Sequence, residues 1–385
     1  MTSTDKDIRV LEFYSGIGGL RAAFERSSVS GSVVQSFDWD QAARQVYETN
    51  YGSGTVVKVD IGTLTASQLP PAELWLLSPS CQPYTVLNPE GRGEADPRAK
   101  SFLHLVEDVL PDLAQLAKLP KYLLIENVAG FETSTTRQKL LSTLRSLGYS
   151  VLEILLTPLQ FGVPNSRFRY YCLAKLSPLC FSHIPPESEI RVWKHIPGQG
   201  EDWEDPRGSD RPLCSDEIRL YLDDEQSLSK DSPYKIPDKV LLKWGRLFDI
   251  AKPTSRRTCC FTRGYTQMVE RSGSILQTEE SLDTTAVFDQ FLAAKSSTSE
   301  PPSDPIKVLR PLGLRYFSPT ELLRLFCFLP PTSNPFGTKV SFKWPETISM
   351  KTKYRLIGNS VNVEVVRRLV EYMFSEPTSQ KDSAR

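Results

Sequence analysis

The 385-residue sequence has only three histidines (His104, His183 and His195), and its seven cysteines form no C-x-x-C pair. A zinc site, a histidine-based metal hydrolase and a disulfide framework are therefore not expected, and no metal is assigned. No run of about 18 apolar residues occurs, so neither a membrane span nor a membrane partner is expected. The opening residues, MTSTDKDIRV, lack the apolar stretch of a signal peptide, and secretion is not expected. A cytoplasmic location, with a nuclear pool, is the expectation. Net charge is missing too: 46 Lys and Arg balance 46 Asp and Glu. A nucleic acid would have to be held by a local basic patch and not by the overall field.

What is present alternates. RVLEFY (9–14), VVQSFD (33–38), VVKVD (56–60), LWLLS (74–78), KYLLIENV (121–128) and VLEILL (151–156) are short apolar runs that read as buried strands. Between some of them the period turns helical. Phe102, Leu103, Val106, Val109, Leu110, Leu113 and Leu116 recur at helix spacing, with a kink expected at Pro111. Leu140, Leu141, Leu144 and Leu147 repeat the pattern before Gly148, a natural C-terminal cap. Such alternation predicts an α/β fold around a mainly parallel sheet. Residues 184–238 are rich in Pro, Gly, Asp, Glu and Ser, and SSTSEPPSDP (296–305) reads as a polar linker. Ser318 and Pro319 predict a helix start, VNVEVVRRLVEYMF (361–374) a final helix, and the tail from about 377 is expected to be disordered.

The first strand runs into EFYSGIGGL (12–20). Gly16, Gly18 and Gly19 permit a tight turn with close backbone approach to a ligand, although a plain turn would use the same residues. Asp38 ends the next strand, 22 residues after Gly16, where nucleotide-binding folds place an acid for ribose hydroxyls. Asp60 ends the third strand at the same sheet edge. Trp39 is placed either over an adenine face or in helix packing.

LLSPSCQPY (76–84) sets Cys81 between Pro79 and Pro83, just past a strand. Cysteine is the best side-chain nucleophile near neutral pH, and forming its thiolate at pH 7.4 from a free pKa of about 8.5 costs only about 1.5 kcal/mol. A buried core cysteine is the competing reading. IENV (125–128) places Glu126 and Asn127 at another strand end, where a carboxyl group can share a proton with a ring nitrogen. NSRFRYY (165–171) puts Arg167 and Arg169 on one side of a strand, either as surface charge or as fixed cations facing an oxygen.

The ordered set of glycine turn, Asp38, Asp60, Pro-x-Cys-Gln, Glu-Asn-Val, Arg-x-Arg and IGNSV (357–361) resembles the cytosine-C5 methyltransferases. The match covers roughly residues 8–175 and 310–374. The resemblance implies a Rossmann-like methyltransferase domain from 1–182 and 311–376 that uses S-adenosyl-L-methionine. It also implies a smaller inserted target-recognition domain at 183–310 and a tail at 377–385. Tyr14, Gly16, Gly18, Asp38, Trp39, Asp60, Ile61, Asn359, Ser360 and Val361 map onto the family's cofactor positions. Cys81 would add to cytosine C6, Glu126 would serve N3, and Arg167, with Arg169 beside it, would bind the O2 side.

TCCFTRGYT (258–266), RYFSPTELLRLFCF (315–328) and YRLIGNSVNVEVV (354–366) resemble the tRNA-methylating branch of that family. This implies cytosine-38 of a tRNA anticodon loop, in tRNA(Asp), as target, with weak DNA binding and a monomeric enzyme as further expectations. Lys252, Arg256, Arg257, Arg263 and Arg271 cluster with Glu270 as the one acid among them. Together with Phe261, Thr262 and Tyr265 they read as a phosphate-binding face beside a stacking platform, or as a solvated loop. Ser80 and Gln82 are further substrate-binding candidates. Ser80 stands where the family has proline, a change worth about 0.4–1 kcal/mol of backbone restriction, so Cys81 is expected to stay active. Cys327, often glycine in the family, reads as a packing change within a helix.

Overall fold

The computed structural model describes residues 7–84, 96–184, 191–206, 213–224, 233–296, 305–332 and 340–375. The expected tail at 377–385 and most of the 296–305 linker lie outside the described residues.

Six strands form where the apolar runs predicted them: β1 (Ile8–Phe13), β2 (Gly31–Asp38), β3 (Val56–Lys58), β4 (Leu74–Leu77), β5 (Tyr122–Val128) and β6 (Tyr149–Leu156). Two further strands, β7 (Arg169–Leu176) and β8 (Val192–Trp193), complete an eight-stranded sheet in the order β3-β2-β1-β4-β5-β7-β6-β8. β7 runs antiparallel to both β5 and β6, and the other pairings are parallel.

That topology makes the site. The chain winds outward in one direction through β1, β2 and β3 and in the other through β4 and β5. The crevice at such a reversal, beyond the carboxyl ends of the strands, is where α/β sheets bind ligands. The glycine turn leaves β1 and the Cys81 loop leaves β4, its direct neighbour. Because β7 is antiparallel, its first residue, Arg169, pairs with Val128 at the end of β5. An arginine at a strand start thus reaches the edge where the other strands finish.

Helices α1 (Gly19–Glu25), α2 (Gln41–Tyr51), α3 (Pro97–His104), α4 (Leu110–Gln115) and α5 (Thr135–Ser146) connect the strands. Gly148 takes a left-handed φ of 85° and closes α5 by a bond from its N–H to Arg145. At Pro111 the helical path neither breaks nor kinks simply: Leu105–Val109 widens into a π-helical turn between α3 and α4. That turn absorbs the register change that comes with the missing proline N–H.

A second, three-stranded sheet joins β9 (Ile250–Ala251), β10 (Ile275–Gln277) and β11 (Leu314–Arg315) in the order β11-β10-β9. β8, inside the expected 183–310 segment, still belongs to the large sheet, and β11, just beyond that segment, belongs to the small one. Three helices, α6 (Asp238–Trp244), α7 (Thr284–Ser296) and α8 (Ile306–Leu309), pack together, α8 touching both of the others. α9 (Pro319–Leu325) starts as expected, with Ser318 and Glu321 in a reciprocal capping box,. α10 (Met350–Gly358) and α11 (Val363–Phe374) complete the chain.

The final helix returns to the large sheet. Val366, Leu369, Val370 and Met373 of α11 are fully buried at helical spacing, and α11 packs on α1. Each such apolar side chain contributes about 1.5–3 kcal/mol. Arg26, at the end of α1, donates to the carbonyls of Cys327 (2.5 Å) and Phe328 (2.7 Å). Cys327 is not within a helix: it follows α9 with φ 62°, and its N–H bonds Arg324 while that of Phe328 bonds Leu323. This is a left-handed helix stop of the kind glycine favours, which explains why glycine suits the position.

Candidate active site

One cavity of about 810 Å³ opens at the sheet edge. It joins the glycine turn, the Cys81 loop, the end of β5, the start of β7, residues 260–264 and the IGNSV loop.

At one end is the turn after β1. Gly16 has φ 54°, and a side chain there would meet nothing within 4 Å, so its backbone faces open space. Its N–H donates to Asp38 Oδ2 (2.7 Å), while Oδ1 accepts from Asp40 N (2.7 Å). Burial pushes the Asp38 carboxyl up, partly offset by these two N–H groups. The Ser15 hydroxyl beside it is buried and has no hydrogen-bond partner among the described residues. Such an orphaned polar atom at the mouth of a turn calls for a ligand atom.

Tyr14, Asn359, Ser360 and Val361 also line this end, joined by Asp40 and Ala43, which sequence reasoning missed. The other expected cofactor residues are not among the lining. Gly18 sits before α1, its carbonyl accepting from the Tyr51 hydroxyl (3.1 Å). Trp39 is 65% exposed, with Lys58 over its ring. Asp60 accepts from Gly62 N at the start of a short 3-10 turn, and Ile61 is core.

At the other end, Cys81 is half-buried and free of any disulfide. Burial pushes its thiol up, Arg169 and Arg167 pull it down, Glu126 adds to the rise, and the net is upward. The thiol is therefore neutral at rest and needs help to ionise. Glu126, 6% exposed, accepts from Ser78 Oγ (2.8 Å), and its other oxygen lies 3.5 Å from Arg169 Nε. Asn127 donates to the Pro79 carbonyl (3.4 Å) and so fixes the Cys81 loop to β5. Ser80 and Gln82 line the cavity, and Arg98 hydrogen-bonds the Gln82 side chain. Polar residues directly past an apolar strand were the available signal for Ser78; nothing local marked Arg98.

The two arginines have separate positions, and the strand expected to carry both carries only Arg169: β7 begins there, and Arg167 lies in the loop before it. Arg167 is 3% exposed, and its guanidinium donates to the carbonyls of Phe261 (2.9 Å), Gly358 (3.1 Å) and Ser360 (2.6 Å). It is a clamp between three chain segments, with its Nη atoms committed to their carbonyls. Arg169 lies with its Nε 3.5 Å from Glu126, and its Nη1 donates to the Phe168 carbonyl (2.8 Å). The clamp needs Gly358, where an added Cβ would lie 2.2 Å from the Thr262 carbonyl carbon.

The expected stacking platform does not exist. Phe261 and Tyr265 are 0% and 2% exposed, packed edge-on to one another and to Phe317 and Tyr354. The Tyr265 hydroxyl donates to Ser274 O (2.8 Å). Their aromatic faces hold the small sheet's core together. Lys252 donates to the carbonyls of Glu280 and Leu282, and Arg256 to that of Ser215. Arg257 is half-buried and, like Arg256, does not line the cavity. Thr262 and the exposed Arg263 do.

This is a mixed α/β fold on one large central sheet, with a cysteine, a carboxylate and an arginine converging at its edge. The S. pombe Dnmt2 methyltransferase, known from a crystal structure, superposes with a TM-score of 0.73 at 34% identity, over 96% of this chain and 98% of that one. The profile of the C-5 cytosine-specific DNA methylase family matches residues 8–375, and the chain belongs to that family of enzymes. Among its relatives, the tRNA (cytosine(38)-C(5))-methyltransferase of Schizosaccharomyces pombe is 36% identical over 97% of this chain and 98% of its own length. The Rattus norvegicus protein of the same name is 35% identical, over 94% and 98%. A Dictyostelium discoideum DNA (cytosine-5)-methyltransferase is also 35% identical, over 96% and 95%.

Proposed function

We propose that this enzyme methylates C5 of cytosine-38 in the anticodon loop of tRNA(Asp), acting as a monomer in the cytoplasm with a nuclear pool, through a covalent bond between Cys81 and cytosine C6. The observation that carries the reading is the convergence of Cys81, Glu126 and Arg169 on the cavity that the Gly16 turn also lines. The names of the rat and S. pombe relatives support the tRNA target.

The open Gly16 backbone, the half-buried Asp38 carboxylate and the Ser15 hydroxyl, unpartnered among the described residues, fit S-adenosyl-L-methionine, with Asn359, Ser360 and Val361 closing the other side. When bound there, that molecule supplies an electrophilic methyl group on a sulfonium. The protein's part is to make cytosine C5 nucleophilic. A Cys81 thiolate adds at C6, turning C5 into the terminus of an enamine. Glu126, oriented by Ser78 and Arg169, holds or gives a proton at N3 and prevents charge from building on the ring. Arg169 serves the O2 side, a role expected first of Arg167, whose Nη atoms are held by carbonyls. Once C5 carries the methyl group, a base or water takes the C5 proton, the C6–Sγ bond breaks, and Cys81 leaves as the ring's double bond is restored. The target base must leave its stack to reach the cavity, and loop bases leave more easily than duplex bases.

Substitution of 5-fluorocytosine in the tRNA tests the adduct, because fluorine at C5 blocks the proton loss that releases the enzyme. A denaturation-resistant complex is expected with the wild type and none with Cys81→Ala. A second reading, DNA as substrate, is favoured by the family's description and by the Dictyostelium relative's name.

A further inference from the structure

The cavity holds a second thiol. Cys260 Sγ lies 3.5 Å from Arg167 Nη1 and 3.6 Å from Arg169 Nη2, and Cys260 lines the same space as Cys81. The two cysteines share Arg169 but differ in setting. Burial opposes ionisation of Cys260, yet Arg169 and Arg167 together outweigh it, and its thiol titrates below the usual range. Burial dominates at Cys81, Cys259, Cys172 and Cys327, and all four thiols are pushed up. Thiolate character, with access, decides which cysteine an electrophile reaches first. Cys260 has both, because two guanidinium groups contact its sulfur and the cavity gives entry.

We propose that Cys260 is a site of reversible oxidation by hydrogen peroxide, and that its oxidised form switches off the neighbouring catalytic centre. The thiolate sulfur attacks one peroxide oxygen. An S–O bond forms, the O–O bond breaks, and hydroxide leaves. Sulfur is oxidised to the sulfenic acid and the peroxide is reduced. The new oxygen sits between Arg167 and Arg169, where a sulfenate accepts charge-assisted hydrogen bonds from both. It competes with Glu126, 3.5 Å from Arg169 Nε, for the same guanidinium and takes up room beside Cys81. A thiol reductant restores Cys260: one thiol displaces water to give a mixed disulfide, and a second releases the cysteine.

The test exposes the full-length protein to hydrogen peroxide near pH 6.5, traps sulfenic acid with dimedone and maps the adduct by peptide mass spectrometry. Labelling is expected at Cys260 at least about ten-fold faster than at Cys81, Cys259, Cys172 or Cys327, in line with its thiolate character. Dimedone incorporation at that peptide is lost in Cys260→Ser. Methyl transfer is expected to fall in step with Cys260 oxidation and to return with dithiothreitol. Labelling at Cys81 first, or none at Cys260 while the exposed Cys180 and Cys214 react, would overturn the site. Oxidised Cys260 with undiminished methyl transfer would overturn the switch. The switch rests on the methyl-transfer reading; the adduct map does not, so untreated protein that transfers no methyl would count against that reading alone.

Discussion

Arg167 donates to the carbonyl oxygen of Gly358, 191 residues away in sequence, at 3.1 Å. The same guanidinium holds Ser360 and Phe261, so the start of β7, the IGNSV loop and the 260–264 segment are fixed by one side chain. Arg169, two residues on, pairs through Nε with Glu126 and, among the described residues, bonds only its sequence neighbour Phe168 and Cys260 through its Nη atoms.

The two arginines should therefore fail differently. Arg167→Ala takes the guanidinium donor from three carbonyls, those of Phe261, Gly358 and Ser360, and is expected to cost about 3 kcal/mol or more of stability,. Arg169→Ala is expected to cost about 1 kcal/mol of stability but at least 100-fold in methyl transfer, the scale of a lost charge-stabilising donor. Denaturant midpoints beside turnover rates separate the two. An Arg167→Ala protein of wild-type stability would remove the clamp from the account.

Ser80 lines the cavity between Pro79 and Cys81. Ser80→Pro is expected to move stability by no more than about 1 kcal/mol and methyl transfer by less than about ten-fold, since 1.4 kcal/mol is a factor of ten in rate. A gain of several orders of magnitude on restoring proline would show that serine disables the nucleophile.

Glu12, on β1 just before the glycine turn, is wholly buried. It accepts from Tyr47 OH (2.7 Å), Ser36 Oγ (3.0 Å) and Arg21 N (3.1 Å). Burial outweighs these bonds and pushes its carboxyl from 4.5 up to about 7. The folded protein then holds this proton more tightly than the unfolded chain. The stability Glu12 contributes is fully present below about pH 4.5 and is lost as pH rises through about 7,. The loss is about 3 kcal/mol at roughly 1.4 kcal/mol per pH unit. Glu12→Gln cannot titrate, so its stability relative to wild type should rise by about that amount between acid and slightly alkaline pH. Equal pH profiles for the two proteins would contradict the assignment.

Cys327 occupies a left-handed helix stop with φ 62°. A side chain there costs about 1–2 kcal/mol relative to glycine. Its thiol also accepts from Asn362 Nδ2 (3.6 Å), so the informative comparison is between two variants that both lack the thiol. Cys327→Gly is expected to be more stable than Cys327→Ala by about 1 kcal/mol in thermal unfolding. The reverse order would mean that the backbone is not strained there.

Much of this was legible in the sequence because buried parallel strands are nearly continuous apolar runs, and the polar residues that interrupt them mark the sheet edge. Asp38, Cys81 and Glu126 were found that way. β7 was harder: RYYCLAKL mixes aromatics with Lys175, which is buried and donates to the Cys180 carbonyl (2.7 Å). Residue type alone misled at Phe261 and Tyr265, whose basic neighbours suggested a surface while their rings are core. The division of labour between Arg167 and Arg169 depends on carbonyls far away in sequence, which spacing does not encode. The Cys260 contacts depend on where both side chains come to rest in the fold.

The most direct test of the central claim is transfer of labelled methyl from S-adenosyl-L-methionine to tRNA and, in parallel, to duplex DNA, with Cys81→Ala as control. Labelled tRNA is expected with the wild type and no label with Cys81→Ala. Label on DNA alone would move the enzyme to the second reading. Methylated tRNA that persists in Cys81→Ala would contradict the covalent route through Cys81.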